Sequence, residues 1–410
     1  MQEHNAKYMD LSACAWTFGG GGGGFFKASR PGFDLFTTPE KILLTAAVNA
    51  KYAERHPDEP QLITGFEMHV PNEASYWVEN VYSKGGKEFN NVFNIRDALV
   101  EAGIACAMVT PNNHHFSVFR AATSSDPKER KAAKERLDHA YQVAKVLKAK
   151  TMVLWNGGES YSNPFEVDWD DAFHQYISTL RYAAEKAEKQ GMYVAVEPKP
   201  FEPGDEMIPN NSGYLIGLLA DATLKGEITI ENYARIGVND EMGHVVMANC
   251  DLMQNFQFLR RVMKNYHAHL NRQFSRGKHD TDNEIEINID TLAVISTLIS
   301  DPIFMHPMIR RFAGFDYQFR HHYTGEQGLL SLYANGLRTR KLEKLGAIVN
   351  VDPGLKQLRD QHRYVELNAR LGQRIGLVAA DAESEIGDVG REGISVPKSL
   401  EKRLKQMADN

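Results

Sequence analysis

Residues 151–197 begin with the apolar run TMVLWN (151–156), continue through a segment of helical periodicity at 169–190, and end with a second apolar run, MYVAVE (192–197). Strands that are covered on both faces of a parallel sheet have near-continuous apolar sequences of this kind. Two such runs separated by a helix therefore predict one β-α-β unit of a parallel sheet.

The same pattern recurs along most of the chain, which contains eight apolar runs bounded by turn residues. The other six are LSACAWTF (11–18), LITGFEMH (62–69), IACAMVT (104–110), ARIGV (234–238), YHAHLN (266–271) and RFAGFD (311–316). Predicted helices lie between them, for example at 127–149, where Pro127 occupies a favourable start, and at 286–300. Eight β-then-α units over roughly 300 residues predict an α/β fold of the (β/α)₈ TIM-barrel class. A doubly wound open sheet is the alternative, but it would have fewer strands, and no GxGxxG follows any run.

Beyond the eighth run the alternation of strands and helices stops. Residues 325–347 and 355–375 are predicted to be helices, and a charged, glycine-containing tail follows as far as Asn410. We therefore expect a catalytic barrel domain at 1–320 and a C-terminal helical arm at 321–410 that takes part in subunit contacts.

Composition and charge restrict the class of function. The chain has 410 residues, of which 42% are hydrophobic, and a net charge of −6, which argues against a nucleic-acid partner. No stretch approaches the roughly 18 apolar residues of a membrane span, so we expect no membrane partner. The N-terminal MQEHNAKYMD lacks the basic and apolar regions of a secretory signal. Three cysteines without CxxC spacing indicate reduced thiols, and the predicted location is the cytoplasm.

Six consecutive glycines, Gly19 to Gly24, follow the first predicted strand. A phosphate-binding loop of the P-loop type needs Ser or Thr after its lysine, whereas Lys27 is followed by Ala28. We interpret the glycines as a flexible loop at the barrel mouth that could act as a lid.

Polar side chains gather at the C-terminal ends of the predicted strands, where the loops of a TIM barrel converge and where its chemistry occurs. Seven competent metal ligands lie at the ends of the last four strands: Glu197, Glu241, His244, His269, Asp280, Asp282 and Asp316. Five carboxylates around one cavity would repel one another strongly unless cations neutralised them. The set therefore predicts two divalent ions that share a bridging carboxylate.

Each of these residues also has an ordinary structural alternative. A strand-end aspartate often caps the next helix, and Asp280 and Asp282 could belong to a solvated turn. His267 and His269 lie at alternate positions of one strand and could be hydrogen-bonded core residues. The ExxH at 241–244 is similar to the Glu-x-x-His of di-iron helical bundles, but Gly243 and the preceding strand favour a loop.

The segment VEPKPFEPGDE (196–206) resembles the VEPKP(N)EP segment of xylose isomerases and related sugar isomerases. Further segments resemble the same family in order and approximate spacing, from about residue 60 to residue 320: MVTPN (108–112), KTMVLWNGGES (150–160), GVNDEMGHVVMAN (237–249), YHAHLNRQ with KHDTD (266–282) and FDYQ (315–318). Together these motifs are highly specific, although each alone is modest.

The resemblance implies a role for each matching residue. It assigns Glu197, Glu241, His269 and Asp316 to a first, structural or substrate-binding ion. It assigns Glu241, as the bridge, with His244, Asp280 and Asp282 to a second, catalytic ion. It implies that Lys199, His69 and Asp280 are catalytic: Lys199 would neutralise a developing oxyanion, and His69, oriented by Asn72, would open the sugar ring. It places Trp155, Asn112, Lys199 and His244 in contact with the substrate, with Trp155 as an apolar wall.

The departures from the family pattern concern the substrate more than the reaction class. His269 stands where xylose isomerases carry an aspartate, which resembles the L-rhamnose isomerase branch, and Asn72 stands where they carry an aspartate beside their histidine. Arg272 replaces a glycine, and the loop before Asp280 is one residue longer. Because imidazole suits Mn²⁺ or Co²⁺ better than Mg²⁺, we expect the first two ions to be favoured and Mg²⁺ to be possible.

The resemblance therefore implies a divalent-metal-dependent aldose–ketose isomerase that assembles as a homo-oligomer, either a dimer or a tetramer. Its sugar is expected to be unphosphorylated, because no cluster of Arg or Lys marks a phosphate site. One alternative is a single-metal ketose 3-epimerase or inosose-type enzyme on the same fold, and another is a non-catalytic sugar-binding relative. The sequence leaves open whether hydrogen moves as a hydride or through an enediol.

Overall fold

The computed structural model describes residues 8–18, 36–70, 91–113, 120–155, 157–202, 204–273, 277–319, 323 and 325–406. Eight parallel strands form a closed barrel: β1 (Asp10–Cys14), β2 (Gly65–Val70), β3 (Ala105–Pro111), β4 (Thr151–Trp155), β6 (Tyr193–Glu197), β8 (Ile236–Glu241), β9 (Asn265–His269) and β10 (Phe312–Phe315). They follow one another around the barrel in chain order, and β10 pairs with β1 to close it. A separate antiparallel pair joins β5 (Ser160–Tyr161) to β7 (Glu206–Met207). The predicted (β/α)₈ barrel is confirmed.

Each of the eight apolar runs overlaps one barrel strand, and the burial of the strands explains the composition of the runs. All residues of β2, β8 and β9 are buried, because helices cover the outer face of the barrel and side chains fill its interior. The first predicted strand was too long: β1 ends at Cys14, and Ala15–Phe18 forms a 3-10 helix.

Thirteen α-helices are present in the described part of the chain: α1 (Thr38–Arg55), α2 (Val92–Ala102), α3 (Pro127–Leu147), α4 (Trp169–Lys189), α5 (Ser212–Leu224), α6 (Ile230–Arg235), α7 (Met242–Met247), α8 (Leu252–Arg261), α9 (Ile289–Ile299), α10 (Gly325–Val351), α11 (Pro353–Asp360), α12 (Tyr364–Glu392) and α13 (Lys398–Gln406). Capping side chains and prolines in the sequence explain where several of these helices begin. The Asp126 carboxylate accepts a hydrogen bond from the Lys128 backbone N–H and caps α3, whose first residue is Pro127.

The helices after β10 pack on the barrel and on one another. Helix α10 contacts both α9 and α1, so it covers the seam where the last strand meets the first, and α12 packs against α10. The prediction of one helix at 355–375 was wrong. The helix is interrupted between α11 and α12, where His362 has φ = 56°. The domain boundary at residue 320 stays a prediction.

The register of the strands brings their C-terminal ends to one level. Trp155 pairs with Glu197, and Glu241 pairs with His269, so strand-end side chains from adjacent strands meet at the same mouth of the barrel. All three cysteines are free thiols, and two of them, Cys14 and Cys106, are buried. Among the described residues, no helix combines the length and the apolar character that crossing a membrane requires.

Candidate metal centre

A cavity lies at the C-terminal mouth of the barrel. It is lined by Trp16, His69, Met108, Thr110, Trp155, Glu197, Lys199, Glu241, His244, His269, Asp280, Asp282 and Asp316. The structure thus brings all seven proposed metal ligands together, with His69, Trp155 and Lys199. Asn112, directly after β3, is fully buried but is not among the described residues that line the cavity. Asn72 and Gly19 to Gly24 lie outside the described residues.

Four side chains form a first compact cluster: Glu197, Glu241, His269 and Asp316, whose ligand atoms all lie within 4.8 Å of one another. The Nδ1 atom of His269 is central to it. This nitrogen lies 3.1 Å from Asp316 Oδ2 and 3.4 Å from Glu197 Oε2. Three carboxylates and one imidazole nitrogen around a common point are donors suited to a divalent cation.

A second cluster consists of Glu241, His244 and Asp280. The Nε2 atom of His244 lies 3.0 Å from Asp280 Oδ2 and 3.3 Å from Glu241 Oε1. Glu241 belongs to both clusters, as a bridging carboxylate would. Asp282 lines the cavity but is not part of this compact group. The individual ligand assignments stay predictions.

Glu241 and His244 are placed by the junction of a strand and a helix. Glu241 is the last residue of β8, and His244 lies in the short helix α7, which begins at Met242. The expectation that this ExxH lies in a loop was therefore wrong. The Asn271 amide donates to Glu241 Oε1 at 2.7 Å, while its carbonyl oxygen accepts from the Gly243 backbone N–H, so one side chain fixes both residues.

The electrostatics of the cavity fit bound cations. Burial and the carboxylates of Asp280 and Asp316 raise the pKa of Glu241 to about 7, although His244 opposes the shift. Burial and Asp280 raise the pKa of Asp282 well above its usual range. These shifts arise because the cavity holds more carboxylates than it can neutralise, and Lys199 is its only Lys or Arg among the described residues. Divalent cations would supply the missing positive charge.

Lys199 is 3% exposed and donates to Asp280 Oδ2 at 2.9 Å. Burial alone would lower the pKa of Lys199, but Asp280, Glu241 and the other nearby carboxylates raise it above its usual value. Its ammonium also lies 5.8 Å from the centre of the Trp155 ring. Lys199 is therefore a permanent positive charge at the cavity wall.

Two tryptophan rings lie near His69. The Trp16 ring lies 4.4 Å from the His69 ring, and the Trp155 ring lies 6.5 Å from it on centroid distances. The Trp16 indole N–H donates to Asp316 Oδ1 at 2.6 Å. The apolar rings exclude water from one side of the cavity, while Trp16 also orients a carboxylate of the first cluster.

Sequence reasoning missed two residues that contact the clusters, Trp16 and Glu67. Trp16 was assigned to a strand, and Glu67 was hidden inside the apolar run LITGFEMH. A usable signal existed for Glu67: it lies two residues before His69 on β2, and alternate residues of a strand face the same side.

Residues 63–280 match the family described as xylose isomerase-like TIM barrel. The chain belongs to this family. The matched region runs from just before β2 to Asp280, and it contains five of the seven proposed ligands.

Solved structures with low sequence identity share the fold of this family member. A putative xylose isomerase from Rhodospirillum rubrum has a TM-score of 0.53 at 12% identity, covering 81% of this chain and 99% of that one. An L-ribulose 3-epimerase has a TM-score of 0.52 at 12% identity, with 87% and 98% covered. A family 2 AP endonuclease from Brucella melitensis has a TM-score of 0.52 at 16% identity, with 76% and 94% covered. At these identities the likeness concerns the fold.

Proposed function

We propose that the protein is a divalent-metal-dependent aldose–ketose isomerase that acts on an unphosphorylated sugar at a two-metal site. The observation that carries the proposal is the pair of buried ligand clusters joined by Glu241, with the ammonium of Lys199 at their edge. An aldose and its ketose differ only in the position of two hydrogens, so the reaction needs no redox cofactor or nucleophile. It needs polarised oxygens at C1 and C2 and a dry cavity.

Different residues of the cavity would contribute to different parts of this reaction. Cations held by the two clusters would supply Lewis acidity at the sugar oxygens. Lys199, whose ammonium donates to Asp280, would stabilise negative charge that develops on the carbonyl oxygen. Trp16 and Trp155 exclude water, and His69 between them is positioned to transfer the proton that opens the sugar ring. Among the described residues that line the cavity, Lys199 is the only Lys or Arg. The cavity therefore suits a neutral sugar better than a phosphorylated one.

A second candidate is a single-metal ketose 3-epimerase on the same fold. It is favoured by the first cluster, in which Glu197, Glu241, His269 and Asp316 form a complete set for one ion, with two glutamates available as acid and base. Against it stand the second cluster and the ion pair of Lys199 with Asp280, which an epimerase of this kind does not require.

Metal content and product identity separate these candidates. The metal-stripped protein is titrated with Mn²⁺ and Co²⁺, and the bound ions per subunit are counted by elemental analysis. Free pentoses and hexoses are then incubated with the loaded protein and followed by ¹³C NMR. We expect two bound ions per subunit, and an aldose and its ketose as substrate and product. One ion with a C3 epimer as product would favour the epimerase, and no turnover of any sugar would contradict both.

His269 should set the metal preference. A neutral imidazole in place of a carboxylate removes one negative charge from the first cluster and adds a nitrogen donor, which Mn²⁺ and Co²⁺ accept more readily than Mg²⁺. We expect the wild type to be more active with Mn²⁺ or Co²⁺, and His269→Asp to shift that preference toward Mg²⁺. Activity of metal-stripped protein reconstituted with each ion measures the preference. Equal activation by Mg²⁺ and Mn²⁺, unchanged in the variant, would remove His269 from the ligand set.

We also propose that the region 321–410 takes part in subunit contacts in a dimer or tetramer. Most of the first half of α12 is exposed, including the apolar side chains Val365, at 85%, and Leu377, at 68%. Charged side chains at these two positions would be buried without partners in an interface formed by α12, so we expect Val365→Lys with Leu377→Asp to yield smaller species. Analytical ultracentrifugation at micromolar concentration measures the assembly.

The matched control for this assembly is Val100→Lys, on the barrel helix α2, where Val100 is 76% exposed. It replaces an equally accessible apolar side chain and should leave the assembly unchanged. A wild-type protein that sediments as a compact monomer would refute the proposed role of the C-terminal region.

A further inference from the structure

Glu67 is a fully buried carboxylate on β2, at the level just below the two ligand clusters. It does not line the cavity among the described residues, and the proposed reaction makes no use of it. A buried, ionised carboxylate costs several kcal/mol unless other groups neutralise it and donate hydrogen bonds to it. Its partners therefore indicate its purpose.

Both carboxylate oxygens of Glu67 are occupied by donors. His267 Nε2 lies 2.9 Å from Oε1, and His269 Nε2 lies 3.0 Å from Oε2. The Ser12 hydroxyl also donates to Oε1, and the Cys14 thiol lies 3.4 Å from Oε2. These four donors come from β1 and β9, so Glu67 is held from two directions in a single orientation.

The neighbouring strand leaves room for this carboxylate. Gly314 of β10 pairs with His269 in the sheet, and a Cβ atom at this position would collide with the carboxylate of Glu67. A glycine here lets Glu67 reach the far imidazoles across the barrel. The arrangement is therefore built from three strands as well as from Glu67 itself.

The contact with Glu67 determines which nitrogen of His269 carries a proton. An ionised carboxylate can only accept, so a hydrogen bond at 3.0 Å requires the proton on Nε2. In a neutral ring the lone pair is then on Nδ1, which faces Asp316 Oδ2 at 3.1 Å and Glu197 Oε2 at 3.4 Å. The opposite tautomer would break the bond to Glu67 and turn an N–H toward the cation position.

We propose that Glu67 is a positioning residue that holds His269 in the tautomer and orientation required to bind a cation through Nδ1. The proposal rests on the two-metal site of the proposed function. A carboxylate behind a ligating imidazole also increases the basicity of the ring, and removing such a partner typically weakens metal binding by about 10-fold to 100-fold.

The cluster of Cys14, Glu67 and His269 is also compact enough to be considered as a cation site. Its geometry favours the positioning role, because both oxygens of Glu67 already accept hydrogen bonds from imidazoles. The two interpretations differ in the number of ions: the positioning role gives two per subunit, and a third site gives three.

The test uses Zn²⁺, a diamagnetic ion that binds mixed nitrogen and oxygen sites tightly. Zinc-loaded protein with ¹⁵N-labelled histidine is studied by NMR, and the His269 signals are assigned by their loss in His269→Asn. We expect a protonated, slowly exchanging Nε2 and a zinc-shifted Nδ1 in the wild type. In Glu67→Gln the Nε2 proton should exchange faster, and calorimetry should show about 10-fold to 100-fold weaker Zn²⁺ binding at one site.

Ser12→Ala is the matched control, because it removes another donor to Glu67 without touching His269. It should leave the His269 signals unchanged and the zinc affinity within about twofold of wild type, because both imidazole contacts to Glu67 remain. Gly314→Ala should displace Glu67 and reproduce the effect of Glu67→Gln with the carboxylate still present.

Three results would overturn the proposal: an Nδ1–H proton on His269 in the zinc-loaded wild type, unchanged zinc affinity in a folded Glu67→Gln, or a third zinc ion that Glu67→Gln removes. The first needs no variant, so it decides the question even if Glu67→Gln fails to fold. None of these measurements uses a sugar. Zinc binding as expected without isomerisation would therefore contradict only the proposed function, whereas isomerisation with unchanged affinity in Glu67→Gln would contradict only the role of Glu67.

Discussion

Glu241→Gln is expected to bind neither cation tightly and to lose turnover by about three orders of magnitude or more, because two-metal stabilisation of developing charge is worth several kcal/mol. Glu241 is the one residue that belongs to both ligand clusters. Its Oε1 lies 3.3 Å from His244 and its Oε2 lies 3.7 Å from His269. A neutral amide cannot neutralise two ions, so both sites should weaken together. Elemental analysis and calorimetry of the purified variant measure this.

Two further variants make the result specific to the bridge. His244→Ala should weaken mainly the second ion, since His244 is a member of the second cluster alone. Glu343→Gln replaces an equally buried carboxylate, paired with Arg340 away from the cavity, and should keep two ions per subunit even if it lowers the melting temperature. Two tightly bound ions in Glu241→Gln would show that Glu241 is not the bridge.

Lys199→Met is expected to lower kcat by about 10²-fold to 10³-fold, the usual effect of removing one donor to a developing oxyanion. The methionine side chain keeps the approximate length of lysine and loses only the ammonium and its bond to Asp280. The loss should fall on kcat more than on KM, because the charge that Lys199 stabilises is greatest in the transition state. Steady-state kinetics with the sugar identified by the NMR screen gives both constants.

Lys278→Met provides the control for Lys199. Lys278 lies after β9, pairs with Glu206 and has a side chain that is 59% exposed, so its loss should change kcat by less than about twofold. A larger fall in kcat for Lys278→Met than for Lys199→Met would reverse our assignment of the two lysines.

The barrel and most of its mouth could be predicted because their signals are local. A run such as MYVAVE is apolar throughout because both faces of β6 are covered, and Glu197 ends it where the strand meets the cavity. The interruption of the helix between α11 and α12 could not be predicted in the same way. No glycine or proline marks it, and it depends on His362 adopting a positive φ.

Contacts across the barrel were the part of the site that the sequence did not disclose. Glu67 and His269 are 202 positions apart in the chain, and Trp16 and Asp316 are 300 apart. Periodicity predicts which face of a strand a residue occupies, but the neighbour opposite depends on register and shear around the whole barrel. The proposed ligand residues could be found because they gather at strand ends, whereas the contacts that Glu67 and Trp16 make with them could not.

The pairing of β10 with β1 also determines when the site can form during synthesis. The cavity is lined by side chains that follow the first strand and the last strand. A nascent chain that has not yet been synthesised as far as Asp316 therefore lacks one carboxylate of the first cluster, and without β10 its barrel cannot close. Contacts between such distant positions are slow to form, and they leave strand edges exposed until they do. Any cation held by the two proposed clusters would therefore bind late in the folding of this chain, after β10 has paired with β1.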